Sequence, residues 1–265
     1  MVIPLAEKNY FNPYLSGGIY DQTLDGDSRS YQNRRPFVTL TYAQSLDGMI
    51  SLGQGLRTTL SGPETKAMTH FLRNNHDAIL VGSGTAVTDD PSLNSRYDEY
   101  GVETKHPIPV IIDPRRTWNY QNSKIAQLAQ SGNGKEPLII RHRRREHEWP
   151  AFEGDDDALT SYEAFATPPT KKIDWAAILN KLSRHGIKTV MIEGGASVIN
   201  NLLAQPHLVD TVIITIAPTY LGTGGIVASP PPKSENGVRV NAVNLTDNAW
   251  RQFGKDVVMC GKLKR

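Results

Sequence analysis

The sequence has a single cysteine, Cys260, so it holds no disulfide framework and no multi-cysteine zinc site. Its apolar runs fall far short of the about 18 residues a membrane-spanning helix needs. Neither sign of charge is in excess: 29 basic residues face 27 acidic ones, a net charge of +2. That balance gives no electrostatic case for a nucleic-acid or membrane partner. The opening stretch, MVIPLAEKNYFNPYLSGGIYDQ, lacks the basic start and apolar core of a secretory signal, and arginine-rich transit character is missing too. The seven histidines show no HxH or HExxH spacing, and the HxE and PCxxC signature of zinc nucleobase deaminases is absent, so no metal site is expected. These absences leave a globular chain, expected in the cytoplasm. Its 265 residues are enough to bury a core without staples.

What is present is a regular alternation. FVTLTYA (37–43), DAILVG (77–82), IPVIID (108–113), PLIIR (137–141), KTVMIEGG (188–195) and DTVIITIAP (210–218) read as β-branched, buried strands. Between them fall helical patterns. Ser61-Gly62-Pro63-Glu64 reads as a capping box opening a helix to about Asn75. Asp174 caps a helix with Trp175, Ile178, Leu179 and Leu182 on one face, and His185-Gly186 ends it. ASVINNLLA (196–204) places Val198, Ile199, Leu202 and Leu203 on one side. Strands alternating with helices predict an α/β fold built of βαβ units with a mostly parallel sheet. Two weaker strands near 239–246 and 256–262 have no helix between them and predict an antiparallel C-terminal edge. Residues 1–35 read as an N-terminal arm with little regular structure, wrapping the body or a partner subunit. Residues 36–265 form one domain, in which 143–172 (RRREHE, GDDD, TPPTKK) is a surface insertion.

Three strand ends carry residues suited to chemistry. In Ile192-Glu193-Gly194-Gly195-Ala196-Ser197 a strand runs through two glycines into a helix, whose N-terminal N–H groups suit an anion. Glu193 stands at the strand's C-terminal end, where open α/β sheets bind ligands; a carboxylate repels phosphate, so it suits an uncharged or cationic group. The second stretch runs from Val81 through Gly82-Ser83-Gly84-Thr85 and Asp89-Asp90-Pro91 to Leu93 and Arg96, whose guanidinium fork suits a phosphate. The third is Leu221-Gly222-Thr223-Gly224-Gly225. Each has a plainer reading: a tight strand–helix turn with a solvated glutamate, a polar loop with a helix cap, a flexible turn. Their coincidence points to a nucleotide-sized ligand across the C-terminal edge of the sheet. The basic run Arg141 to Arg145 reads as a solvated loop, and Cys260 as a buried core thiol.

In order, TYAQSLDGMIS (41–51), TLSGPETKAMTHFLRNNHDAILVGSGTAVTDDPSLNSR (59–96), IPVIIDPRR (108–116), MIEGGASVINNLL (191–203) and DTVIITIAPTYLGTGG (210–225) resemble the reductase family of riboflavin biosynthesis, over about residues 36–262. The resemblance implies a dihydrofolate-reductase-like fold, a homodimer, and the stand-alone fungal type without a fused deaminase. It implies NADPH as cofactor and 2,5-diamino-6-(ribosylamino)-4(3H)-pyrimidinone 5′-phosphate as substrate, reduced by hydride transfer to C1′ of the ring-opened imine. Carried over residue by residue, Thr85 and Asp89 bind the nicotinamide cofactor. Gly194, Gly195, Ala196 and Ser197, continuing into Asn201, hold its phosphates, and Gly222 to Gly225, including Gly224, lie against it. Arg96 and Leu93 contact the substrate, Arg96 on the 5′-phosphate with Arg73 sharing it; Thr59 and Arg57 stand near the same pocket. Glu193 contacts the substrate and is the candidate catalytic residue, stabilising the cationic imine or assisting ring opening. Asp47 shapes the site wall, and Arg115, Arg116 or Arg141 are candidates for the cofactor's 2′-phosphate. The competing readings are a folate or pterin reductase, which needs an arginine for the glutamate tail, and a nucleotide-binding scaffold that kept the pocket.

Overall fold

A computed structural model describes residues 2–15, 35–101, 103–141 and 173–264. Its centre is an eight-stranded sheet of β1 (Phe37–Gln44), β3 (Ala78–Gly82), β4 (Ile108–Ile112), β5 (Leu138–Ile140), β6 (Thr189–Gly194), β7 (Thr211–Ile216), β11 (Leu245–Phe253) and β12 (Asp256–Leu263). The strand order is β11-β12-β7-β1-β6-β3-β4-β5, and β9 (Lys233–Glu235) and β10 (Val238–Val240) pair outside it. β1 pairs in parallel with β6 and β7, β3 with β6 and β4, and β4 with β5. β12 runs antiparallel to β7 and to β11, giving the expected antiparallel C-terminal edge.

Two-residue alternation along the strands explains the layers. Leu40, Leu80, Val110, Val190, Ile192, Val212 and Ile214 point to one face, where α5 (Trp175–Arg184) and α6 (Ala196–Leu203) lay down their apolar stripes. Ile79, Val81 and Ile111 point the other way, onto Leu93, Trp118 and Ile125 around α3 (Ser83–Asp89) and α4 (Lys124–Gln130). On that second face Met191, Ile213, Val258 and Cys260 meet Met68, Phe71 and Leu72 of α2 (Pro63–Asn74). Cys260 is fully buried, as expected for a core thiol.

Four expectations are corrected. Residues 2–15 are not irregular: Leu5–Phe11 forms α1, Asn12–Tyr14 a 3-10 turn, and Ile3, Phe11 and Tyr14 are buried in the core beside α2. Three aromatics in five residues supply enough apolar area to dock a seven-residue helix that could not stand alone. α2 is not capped by Ser61. Its N-cap is Gly62, and the carboxylate of Asp256, from β12, accepts from the Gly62 amide at 2.7 Å and the Thr65 hydroxyl at 2.6 Å. The penultimate strand covers Leu245–Phe253 rather than 239–246; its outward residues are mostly polar, with Trp250 also exposed. The stretch from Ser83 to Asp89 is α3 rather than a polar loop. The insertion at 143–172 and most of the proposed arm, 16–34, lie outside the described residues.

Candidate active site

The chain leaves β3 toward β4 on one side and leaves β6 toward β7 on the other. The strand order therefore reverses between β6 and β3, and a crevice opens outside their C-terminal ends. It is a cleft of about 840 Å³. Its floor is Thr41–Ala43 of β1, Val81 and Gly82 of β3, Glu193 of β6 and Thr215 of β7. One wall is the face of α2 that carries Lys66, Thr69, His70 and Arg73. The starts of α3 and α6 form a second wall, and Ile50, Ser51 and residues 53–61 complete the lining.

Glu193 owes its position to an irregularity in the sheet. Leu80 pairs with Ile192, but Val81 pairs with Gly194, so Glu193 is the extra residue of a bulge. A bulge re-aims its side chain out of the regular alternation. Arg73 then fixes the carboxylate with a fork: Nε donates to Oε1 at 2.9 Å and Nη2 to Oε2 at 2.8 Å. Nη1 of the same guanidinium donates to the Asn94 carbonyl at 3.1 Å. Both side chains of the pair are mostly buried. Arg73 is thus an orienting partner of Glu193, in a position the resemblance had assigned to a phosphate.

The cofactor candidates divide. Thr85, Asp89, Gly195, Ala196 and Ser197 line the cleft. A Cβ on Gly195 would stand 3.0 Å from Thr85 Oγ1, so the two helix starts meet closely across the crevice. No side chain caps the α6 N-terminus. Burial raises the Asp89 carboxyl above its usual range, opposed by the nearby cation of Arg57. Asn201 turns back to donate to the Ser197 carbonyl of its own helix.

Gly194, Gly222 and Gly224 are not among the lining residues. Gly222 and Gly224 face open space, and only Gly225 of this loop packs closely. β2 (Met49–Ser51) pairs with β8 (Ile226–Val227), and a Cβ on Gly225 would stand 2.6 Å from the Ser51 carbonyl. Asp47, which does not itself line the cleft, organises this loop: it accepts from the Leu221 amide at 3.2 Å, the Gly222 amide at 2.8 Å and the Ser45 hydroxyl. The Ser45 contact leads in holding the Asp47 carboxyl below its usual range.

Among the substrate candidates, Leu93, Arg73, Glu193, Thr59 and Arg57 line the cleft. Arg96 stands behind that lining, against His70, with its guanidinium Nε 3.2 Å from His70 Nε2. Arg115, Arg116 and Arg141 do not line the cleft, and Arg141 stands 3.9 Å from the buried Asp113. The lining cations are Arg57, Lys66 and Arg73. Lys66 and His70 were missed by sequence reasoning. Their signal was available: with Arg73 they recur at three- and four-residue steps on α2.

The family model of the RibD C-terminal domain matches residues 36–259. The chain is 42% identical over 241 residues to the 2,5-diamino-6-ribosylamino-4(3H)-pyrimidinone 5′-phosphate reductase of Candida glabrata, covering 88% of this chain and 92% of that one. It is 40% identical over 233 residues to the reductase of the same name from Saccharomyces cerevisiae, covering 86% and 87%. Among solved structures it is similar to the riboflavin biosynthesis reductase Rib7 of Saccharomyces cerevisiae, with a TM-score of 0.75, 36% identity, and 97% and 99% of the two chains covered.

Proposed function

The chain belongs to the family of RibD C-terminal domains, and we propose that it reduces 2,5-diamino-6-(ribosylamino)-4(3H)-pyrimidinone 5′-phosphate to the ribitylamino product, with NADPH, in riboflavin biosynthesis. One observation carries the reading: a carboxylate, Glu193, is bulged out of the sheet and locked by Arg73 at the point where a cofactor wall and a substrate wall meet.

The residues present fit a dinucleotide. The cleft is of nucleotide size, and the uncapped start of α6 turns backbone donors toward it. Thr85, Asp89, Gly195, Ala196 and Ser197 would hold the cofactor. When bound, NADPH supplies the hydride. The chain's work is orientation and electrostatics. In the substrate, the bond from C1′ to the ring oxygen breaks, the nitrogen lone pair forms the C=N bond, and the ring oxygen takes a proton from solvent. The resulting iminium is cationic, and Glu193 offers it a fixed negative charge. The Arg73 fork keeps that carboxylate from turning away. Hydride addition at C1′ then neutralises the iminium to the amine. Arg96 stands for the 5′-phosphate, and the active unit is a homodimer, which light scattering at twice the chain mass would record.

The test is the loss of NADPH absorbance on adding the phosphoribosyl substrate, with parallel runs on dihydrofolate and with NADH. Oxidation of NADPH with the phosphosugar alone is expected. Turnover of dihydrofolate instead, or tight NADPH binding without any turnover, would overturn the reading.

A further inference from the structure

The cleft face of α2 is a polar stripe. Lys66, Thr69, His70 and Arg73 recur at three- and four-residue steps, so they share one side of the helix over two turns. On the opposite side Met68, Phe71 and Leu72 face the core. Three of the four polar residues are already engaged. Arg73 is committed to the Glu193 carboxylate. The Thr69 hydroxyl donates to the Thr65 carbonyl at 2.9 Å. His70 is uncharged near neutral pH, because burial, with the cations of Arg73 and Arg96, pushes it down to about 3. Lys66 is exposed and has no ion pair or hydrogen bond among the described residues.

The charges lining the cleft are unbalanced at the same place. The carboxylates are Asp89 and Glu193, and the cations are Arg57, Lys66 and Arg73. Arg73 answers Glu193, and Arg57 stands near Asp89. Lys66 is the cation left over, and an unpaired ammonium in a cleft draws anions into it. We propose that Lys66 is a substrate-binding residue that takes the 5′-phosphate. The proposal rests on the function given above, and it places a cation within the lining, where Arg96 stands behind it. The stripe sets the spacing. Lys66 and Arg73 lie seven residues apart, about 10 Å along the helix axis. Arg73 holds Glu193, beside which C1′ reacts, and the phosphate is at the other end of the opened five-carbon sugar. A phosphate dianion is repelled by the Glu193 carboxylate, so it belongs at the far end of the stripe. There a lysine offers a compact charge on a flexible stem, able to follow the phosphate without a fixed bidentate geometry. The dinucleotide's wall is a different one, formed by α3 and α6.

Because Lys66 is exposed, K66M removes the charge without opening the core, and K66R restores a cation. The measurements are the Kd of ribose 5-phosphate by calorimetry, KM for the phosphorylated substrate, KM for its dephosphorylated form, and KM for NADPH. K66M is expected to weaken ribose 5-phosphate binding and raise KM for the phosphorylated substrate by roughly tenfold or more, the loss of one charge-assisted hydrogen bond. K66R recovers most of that loss. KM for the dephosphorylated substrate and for NADPH scarcely moves. Equal losses with both substrates would place Lys66 on another part of the substrate, and a loss confined to NADPH would place it on a cofactor phosphate. Either result, or wild-type behaviour of K66M, would overturn the proposal while the function stands. A wild-type protein that oxidises no NADPH with the phosphoribosyl substrate would overturn the function itself, and the proposal falls with it.

Discussion

At the scale of single residues, the charge of Glu193 is the group most open to test. The Arg73 fork occupies both carboxylate oxygens, at 2.9 and 2.8 Å, so the side chain is held before substrate arrives. In the proposed reaction, such preorganisation concentrates its value in the transition state, where iminium charge would develop. E193Q keeps the volume and removes the charge. It is expected to lower kcat by roughly a hundredfold or more, about 3 kcal/mol of transition-state stabilisation, while the Kd for NADPH stays near wild type. Single-turnover kinetics with a separate NADPH titration would check this. Equal losses in the two quantities would remove the electrostatic role.

At the scale of elements, two contacts between distant parts of the chain hold up α2, one wall of the cleft. Asp256 of β12 closes the N-terminus of α2, accepting from Gly62 and Thr65. Removing it with D256A strands those donors in a buried place. A loss of about 1–3 kcal/mol is expected in urea unfolding, with α2 and its cleft residues loosened first in hydrogen exchange. The second contact is α1. Phe11 is fully buried, with its ring 6.1 Å from Phe71 of α2 and 5.7 Å from Phe253 of β11. Tyr10 and Tyr14 tie the helix down by donating to the carbonyls of Ala249 and Asp247, each at 2.8 Å. F11A is expected to cost roughly 3–5 kcal/mol in denaturant unfolding; a cost below about 1 kcal/mol would mean that α1 is only a surface appendage.

For the whole molecule, two buried histidines set the acid limit. His76 donates from Nδ1 to the Leu72 carbonyl at 2.7 Å and accepts from the Thr39 hydroxyl at 2.8 Å. Burial pushes it down to about 4, and burial with neighbouring arginines pushes His70 to about 3. In the unfolded chain both titrate near about 6.5. Below that value the unfolded state binds protons that the folded state refuses, so stability rises with pH across this window. Full stability is present above about 6.5 and is lost as pH falls toward 4, by on the order of 3 kcal/mol for His76 alone. Asp89, whose carboxyl is raised by burial, opposes this weakly at the acid end. Urea midpoints measured from pH 7 to pH 4 should fall steadily; a flat profile would contradict the buried, neutral histidines.

The amino-acid sequence by itself determined the parallel strands, the faces of α5 and α6, and the strand ends that carry Thr85, Asp89, Glu193 and Gly195. These depend on residues close together in the chain, through two-residue and 3.6-residue periodicity and through helix starts. Only the tertiary structure decided the rest. The Asp256 cap, the docking of α1, the bulge at Glu193, its fork with Arg73 and the seat of Arg96 on His70 each join residues well apart in sequence. The bounds of β11 were displaced because an exposed edge strand needs no apolar alternation, and the glycine-rich loop reads the same at Gly225, which packs against Ser51, as at Gly222 and Gly224, which face open space. Local pattern reports which face a side chain takes; which partner meets it there depends on how the whole sheet is ordered.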